Sequence, residues 1–159
     1  MARTGTSQVH PCSRRRKSAG VTLLELMVVL AAVAILTAIA LPAYRDYVLR
    51  GHLASATEGL TAMRARMEKH FQNRRTYETS GGDTTPCQDT TASNRTFGVF
   101  VVDCAAVSAT AFQLRATGSA PAAGFVFTLD ERDQRATTSA ASGWPTCASR
   151  WLTRKGDTC

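Results

Sequence analysis

The fold of this chain is decided by residues 18–47, which read SAGVTLLELMVVLAAVAILTAIALPAYRDY. From Val21 to Leu41 this stretch contains a single charged residue, Glu25. About 20 apolar residues are enough to cross the hydrocarbon core of a bilayer. The basic block Arg14–Lys17 precedes the apolar run, and basic residues keep their end of a span in the cytoplasm. The sequence therefore predicts a membrane-spanning helix over residues 21–50.

Glu25 is out of place in this run. An unpaired charge inside a bilayer costs about 2.5–3.5 kcal/mol on insertion scales. The next charged residue is Arg45, about 30 Å further along a helix. We therefore expect a cationic partner from another chain, or from a new amino terminus made by cleavage nearby.

The junction Gly20–Glu25, with its basic leader and the proline that follows the apolar helix, closely resembles the class III signal of type IV pilins and type II secretion pseudopilins. The resemblance implies that prepilin peptidase removes residues 1–20 by cutting between Gly20 and Val21. It further implies that Val21, where the family usually has phenylalanine, is N-methylated. Glu25 would then pair with the terminal amine of a neighbouring subunit, and Pro42 would lie on the assembly helix.

Two other interpretations of this stretch remain open. An ordinary secretory signal would use Ala38-Ile39-Ala40 as its cleavage site. In that case Glu25 would interrupt the apolar region and Pro42 would crowd the cut. The other alternative is an unprocessed membrane anchor.

The basicity of the chain is concentrated in its first residues. The formal charge is +7 over 159 residues, but residues 1–20 contain five basic residues and no acidic one. The remainder holds 14 basic and 12 acidic residues. Most of the charge is thus a topology signal, and 139 residues remain after the proposed cut for one domain with a modest core.

The cysteines indicate a disulfide-stabilised exported head. Cys12 lies in the leader, whereas Cys87, Cys104, Cys147 and Cys159 lie beyond the membrane. Four cysteines in a small exported domain favour two disulfides over a zinc site, with three pairings open. We favour the pairs that are near in sequence, because they tie a long loop to the first strand and close the tail. No pair has C-x-x-C spacing, and both His52 and His70 fall in a helical segment.

The helix is predicted to continue to about Asn73, for a total length of about 80 Å. Pro42 is expected to kink it or loosen a turn. Apolar residues recur at steps of three and four, as expected for a stripe that packs on a sheet. They are Leu53, Ala56, Leu60, Met63, Met67 and Phe71.

An α+β head over residues 51–159 follows from the rest of the pattern. Residues 74–95 predict a long loop, because they are rich in Thr, Ser, Gly and Asp. Four antiparallel strands are predicted at 97–103, 111–117, 124–130 and 134–138. The run Gly124–Asp130 resembles the third strand of type IV pilin heads, and Cys147–Cys159 resembles their C-terminal disulfide-bounded loop.

The sequence offers no catalytic constellation, no glycine-rich phosphate loop and no cofactor motif. Two sets of residues could form a binding site, but for each set we favour an interpretation without a ligand. Asp130, Glu131 and Asp133 suit either a calcium site or a solvated hairpin turn, and we favour the turn. The second set combines positive charge with an aromatic ring, as in a DNA-contact patch, although a solvated loop with one packed tryptophan is favoured. Its members are Arg150, Trp151, Arg154 and Lys155.

The sequence thus predicts a non-enzymatic subunit of a type IV pilus, similar to a minor pilin. The resemblance implies an inner-membrane precursor with a cytoplasmic N-terminus and an extracellular filament after assembly. The implied partners are other pilin subunits, prepilin peptidase and the inner-membrane assembly platform. A type II secretion pseudopilin and a DNA-binding uptake pilin are the alternatives, and a secreted enzyme has no residues to support it.

Overall fold

A computed structural model of the protein describes residues 20–159. The basic block Arg14–Lys17, Cys12 and all of the proposed leader except Gly20 lie outside the described residues. The chain divides into two compact units, one ending at Ala40 and the other comprising Leu41–Cys159.

One long helix, α1, spans Leu23–Arg74. It begins after Thr22, whose Oγ1 accepts the backbone N–H of Glu25 at 3.2 Å. A threonine in this position caps a helix N-terminus by satisfying a free amide. Pro42 lies inside α1, which continues through it as one element. The helix ends where Arg75 takes a positive φ of 59°.

The strands form one antiparallel sheet in the order β1-β2-β3-β4-β5. Their bounds are Thr96–Phe97, Phe100–Val107, Phe112–Gly118, Val126–Asp130 and Arg135–Ser139. The predicted α+β class and antiparallel meander are confirmed, but the predicted count of four strands is wrong. The candidate at 97–103 is a hairpin, because Gly98 has a φ of +58° and Phe97 pairs with Phe100. Glycine adopts this left-handed conformation without a steric penalty, so the chain reverses where the sequence suggested one strand.

The core lies between α1 and one face of the sheet. Leu53, Ala56, Leu60, Met63 and Met67 are fully buried, which confirms the predicted apolar stripe, while Phe71 is half-buried. The strands contribute every second residue, as expected for a sheet with one covered face. These residues are Phe100 and Val102 on β2, Leu114 and Ala116 on β3, and Phe127 and Leu129 on β4.

Two segments without regular strands border the sheet. Residues 75–95 form a loop, as predicted, with a single bridge between Ser80 and Asp83 and two short 3₁₀ turns, Pro86–Gln88 and Ala92–Asn94. At the other edge the C-terminal tail pairs with β5, because Thr137 and Cys147 exchange two backbone hydrogen bonds of 2.7 and 3.0 Å. The tail is thereby positioned beside the last strand.

Candidate functional site

The N-terminal junction is open to its surroundings. Val21 has 69% of its surface exposed, and the large apolar side chains from Leu23 to Leu41 are all exposed. This part of α1 is long and apolar enough to span a membrane. Among residues 20–159, no ion pair involves Glu25. The carboxylate is therefore available to a group outside the described chain.

The two histidines of the head, His52 and His70, lie on α1. His70 is buried, and its Nε2 lies 2.9 Å from the carbonyl oxygen of Glu78. His52 is half-buried. In the part of the chain that the structure describes, no group of three or more His, Cys, Asp or Glu residues is arranged to hold a metal ion.

The acidic residues at the β4–β5 connection form a tight turn. Asp130 Oδ1 accepts the backbone N–H groups of Arg132 and Gln134 at 2.9 and 2.8 Å. Asp133 pairs with Arg64 and Arg135 at 2.7 and 2.8 Å. Glu131 accepts the N–H of Phe112 at 3.3 Å. The three carboxylates thus have partners within the head, as the hairpin interpretation requires.

The four cysteines of the head form two bonded pairs. Cys87 is joined to Cys104 and Cys147 to Cys159, each with a Cα–Cα distance of 5.2 Å. The first pair attaches the Pro86–Gln88 turn to β2, and the second closes the tail. Each therefore fixes an irregular segment at one edge of the sheet.

The tail is anchored by two hydrophobic side chains. Leu152 is fully buried, and its N–H donates to Thr137 Oγ1 at 2.8 Å. The indole Nε1 of Trp151 donates to the carbonyl of Thr128 at 2.9 Å. The guanidinium of Arg135 covers the Trp151 ring at 4.8 Å from its centroid. One ring face is therefore occupied by a cation of the protein itself.

The remaining basic residues of the tail face solvent. Arg150, Arg154 and Lys155 are exposed, in contrast to Trp151 in the same loop. Asp157 fixes the turn that carries Arg154, because its Oδ2 accepts the N–H groups of Thr153 and Arg154 at 3.0 and 2.9 Å. Arg154 also shares a surface depression with Tyr47 and Arg50 of α1.

Sequence reasoning missed several residues that shape these surfaces. Arg64 bridges α1 to Asp133, which is 69 positions away in sequence, and Arg135 stacks on Trp151. No local pattern signals such distant contacts. Gly59 is buried against Phe97, and its place inside the apolar stripe was the available signal.

The arrangement defines a class of protein: a pilin-like subunit with an apolar N-terminal helix, an amphipathic continuation packed on an antiparallel sheet, and a disulfide-closed tail. Residues 42–125, more than half of the chain, match the family model described as type IV minor pilin ComP, DNA uptake sequence receptor. Residues 15–41 match the prokaryotic N-terminal methylation motif. The chain belongs to this family of type IV minor pilins.

Curated relatives of the chain are fimbrial proteins. The chain is 42% identical over 65 residues to a fimbrial protein of Moraxella nonliquefaciens, covering 41% of this chain and 42% of the relative. It is 34% identical over 83 residues to the type IV major fimbrial protein FimA of Dichelobacter nodosus, covering 52% and 49%. The chain therefore spans about half the length of these relatives.

One solved structure has a similar chain trace. It is the crystal structure of the non-core minor pilin PilV of Neisseria meningitidis, with a TM-score of 0.49 and 17% sequence identity. The alignment covers 67% of this chain and 99% of that chain.

Proposed function

We propose that this protein is a minor subunit of a type IV pilus that assembles through its N-terminal helix. The main observation that supports the proposal is the exposed apolar part of α1. This part follows the Gly20–Glu25 junction, and both lie within the match to the methylation motif. A soluble protein would bury such a surface, so this helix needs a lipid or protein environment. The family match favours a pilus over a secretion pseudopilin.

The proposed mechanism has two stages. Prepilin peptidase cuts between Gly20 and Val21 while the helix holds the subunit in the inner membrane, with its original N-terminus in the cytoplasm. The assembly platform then transfers the subunit into the filament, where Glu25 pairs with the terminal amine of a neighbour. A charge-assisted contact in an apolar surrounding sets the axial register, because an unpaired charge there is unfavourable.

The test replaces Glu25 with alanine. Cleavage and membrane insertion should persist, whereas the amount of subunit in sheared filaments should fall at least tenfold. Glu58→Ala is the matched control, because Glu58 is an exposed carboxylate further along the same helix. Normal incorporation of Glu25→Ala, or an equal loss in both variants, would contradict the proposed role of Glu25.

DNA binding by the head is a second proposal. It is supported by the description of the matching family model and by the exposed cations Arg150, Arg154 and Lys155 in the tail. Against it stands the nearly balanced charge of residues 21–159. Three phosphate contacts would give a slope of about −2 to −3 for the logarithm of the binding constant against the logarithm of the salt concentration. Such a slope indicates weak DNA binding by a single head.

An electrophoretic shift assay tests this proposal, using the full chain in detergent and duplex DNA at two salt concentrations. Wild-type protein should bind at low salt, and a variant with Arg150, Arg154 and Lys155 changed to glutamine should not. Lys69→Gln with Arg75→Gln is the control, since both residues are exposed and lie outside the tail. Absence of a shift for the wild type would remove the proposal and leave the filament role intact.

A further inference from the structure

A group of tyrosine and arginine side chains surrounds the first turns of α1 beyond the apolar run. Tyr44 and Tyr47 follow Leu41 closely, and they are 68% and 74% exposed. Tyr47 and Arg50 line a depression together with Arg154 of the tail. Tyr44 and Arg45 line an adjoining depression, and Val48 belongs to both. We call Tyr44, Arg45, Tyr47, Arg50 and Arg154 the tyrosine–arginine patch.

The charges of the patch have little internal compensation. Within residues 20–159, no ion pair involves Arg45, Arg50 or Arg154. Asp46 lines the depression of Tyr44 and Arg45, whereas the described residues that line the depression holding Arg50 and Arg154 include no acidic one. The net charge of the residues that line the two depressions is therefore +2. An anion is the ligand that this charge favours.

The two arginines that share a depression come from elements far apart in the chain. Arg50 is on α1, whereas Arg154 is held on the tail by the Asp157 turn and by buried Leu152. The hydroxyl-bearing residues Thr57 and Thr153 line the same depression. Guanidinium groups with nearby hydroxyls suit a phosphate, which accepts several hydrogen bonds at once.

The distance of the patch from the end of the apolar run at Leu41 indicates that the phosphate belongs to a lipid headgroup. At 1.5 Å per residue, Tyr44 lies about 4.5 Å, Tyr47 about 9 Å and Arg50 about 14 Å beyond Leu41. The headgroup region of a bilayer extends about 5–7 Å beyond each side of the hydrocarbon core. Tyrosine concentrates in this interface, and a long arginine side chain can extend its charged end toward it. Tyr44 and Arg45 therefore fall at headgroup level while the apolar helix is in a membrane. Tyr47 and Arg50 begin a few ångströms beyond it, and their side chains lean back toward the N-terminal, membrane side of the helix.

We propose that the tyrosine–arginine patch binds the phosphate headgroups of anionic lipids in the leaflet next to the head. The inference rests on the membrane stage of the proposed function and adds a lipid ligand to it. Because Arg154 belongs to the folded tail, lipid binding holds the tail at the membrane surface before assembly. The exposed tyrosines directly follow the apolar run and lie beside Val48 and Leu49, a position that suits the bilayer interface, where tyrosine rings concentrate.

The experiment uses the full chain in nanodiscs of equal parts phosphatidylglycerol and phosphatidylcholine. Native mass spectrometry then measures the ratio of the two lipids that stay bound when the discs are stripped. The wild type should retain phosphatidylglycerol preferentially. Arg50→Gln with Arg154→Gln should lower that ratio by about fivefold for each arginine removed.

Lys69→Gln with Arg75→Gln is the matched control and should keep the wild-type ratio, because both residues lie near or just beyond the far end of α1. An unchanged thermal midpoint in pure phosphatidylcholine discs shows that the variants are folded. Equal ratios in wild type and patch variant would overturn the proposal, as would an equal loss in the control. Displacement of the bound lipid by millimolar inorganic phosphate would identify a free-phosphate site instead.

Loss of DNA binding in Arg50→Gln alone, with unchanged lipid retention, would likewise overturn the proposal and assign Arg50 to nucleic acid. Failure of the chain to enter nanodiscs at all would contradict the membrane stage itself. Normal insertion without lipid preference would contradict only the patch. The two failures are thus distinguishable.

Discussion

At the scale of single residues, Gly59 shows how one missing side chain sets the distance between α1 and the sheet. A Cβ atom at this position would lie 2.6 Å from Cγ and 2.8 Å from Cβ of Phe97. The base of the Phe97 side chain cannot move without displacing β1. The Phe97 ring also lies under the guanidinium of Arg66, whose Cζ is 5.8 Å from the ring centroid. A Cβ atom added at Gly51, in contrast, would have no atom of residues 20–159 within 4 Å apart from its own neighbours along α1.

Alanine substitutions at these two glycines should therefore have opposite effects. Replacing a helical glycine with alanine stabilises by about 1 kcal/mol, and overpacking costs about 1–3 kcal/mol. We expect Gly51→Ala to raise the free energy of unfolding by up to about 1 kcal/mol and Gly59→Ala to lower it by about 1 kcal/mol. Thermal unfolding of the full chain in detergent measures both, and a stabilised Gly59→Ala protein would contradict the packing described here.

Tyr77 is a second residue with a measurable consequence. Burial, followed by its hydrogen bond to Glu68 at 3.1 Å, raises the pKa of this phenol above its ordinary value. The folded state thus holds the proton more tightly than the unfolded state. The associated stability is complete below about pH 10 and decreases as the pH rises above that value.

The prediction is that the free energy of unfolding falls as the pH rises from about 10 to about 11, and that Tyr77→Phe makes this decrease smaller. The phenylalanine variant should be less stable at pH 7, because it lacks the bond to Glu68. Ring packing against Phe71 and Phe112, at centroid distances of 4.6 and 4.8 Å, is retained. Tyr44→Phe is the control, since Tyr44 is exposed. If the free energy of unfolding decreased equally at alkaline pH in wild type and Tyr77→Phe, the decrease would not come from Tyr77 and the prediction would be wrong.

At the scale of elements, each disulfide covers a part of the sheet that lacks a neighbouring strand: β2 beyond its short pairing with β1, and the outer side of β5. Cys87–Cys104 holds the long loop against β2, and Cys147–Cys159 closes the tail that pairs with β5. An unprotected sheet edge can pair with another chain, so covering it limits association between heads. The disulfides therefore act on association as well as on stability.

Removing the tail disulfide tests this role. The chain-entropy account gives about 3 kcal/mol for a loop of this length. We expect Cys147→Ser with Cys159→Ser to lose about that much stability and to self-associate at concentrations where the wild type stays monomeric in detergent. Sedimentation measures the association, and peptide mapping of the wild type should recover the two pairs named above. A peptide linking Cys87 to Cys159 would show the pairing to be wrong.

The same elements show what the sequence could predict. The apolar stripe from Leu53 to Met67 follows helical periodicity, and the strands carry aromatic and β-branched residues, so both were predictable from local pattern. The hairpin at Gly98 was not predicted, because Phe97-Gly98-Val99-Phe100 reads as one apolar run. Its glycine was the available signal, since an isolated glycine in a strand pattern often marks a backbone irregularity.

The surfaces were less predictable than the core. Arg150, Trp151, Arg154 and Lys155 are neighbours in sequence, and a tail position alone does not separate exposed from packed side chains. The structure packs Trp151 under Arg135 and leaves the three cations in solvent. Likewise, the joining of Arg50 to Arg154 depends on how the tail returns to α1, which no periodicity encodes.

At the scale of the whole molecule, the chain combines two kinds of surface. The apolar part of α1 is exposed throughout, whereas the head buries a closed core and carries a nearly balanced charge. Membership of the type IV minor pilin family explains why a small head is joined to a helix whose apolar N-terminal part is exposed. On the proposed account, the basic leader contributes to insertion and is then removed.

The mature N-terminus measured on filaments tests this account most directly. Sheared filaments from cells producing the full chain would be analysed by mass spectrometry of the intact subunit and its N-terminal peptide. The account predicts that the subunit is present in the filaments and begins at Val21, with a mass increase for one methyl group. A subunit beginning at Leu41, or one absent from filaments while abundant in the culture medium, would contradict it.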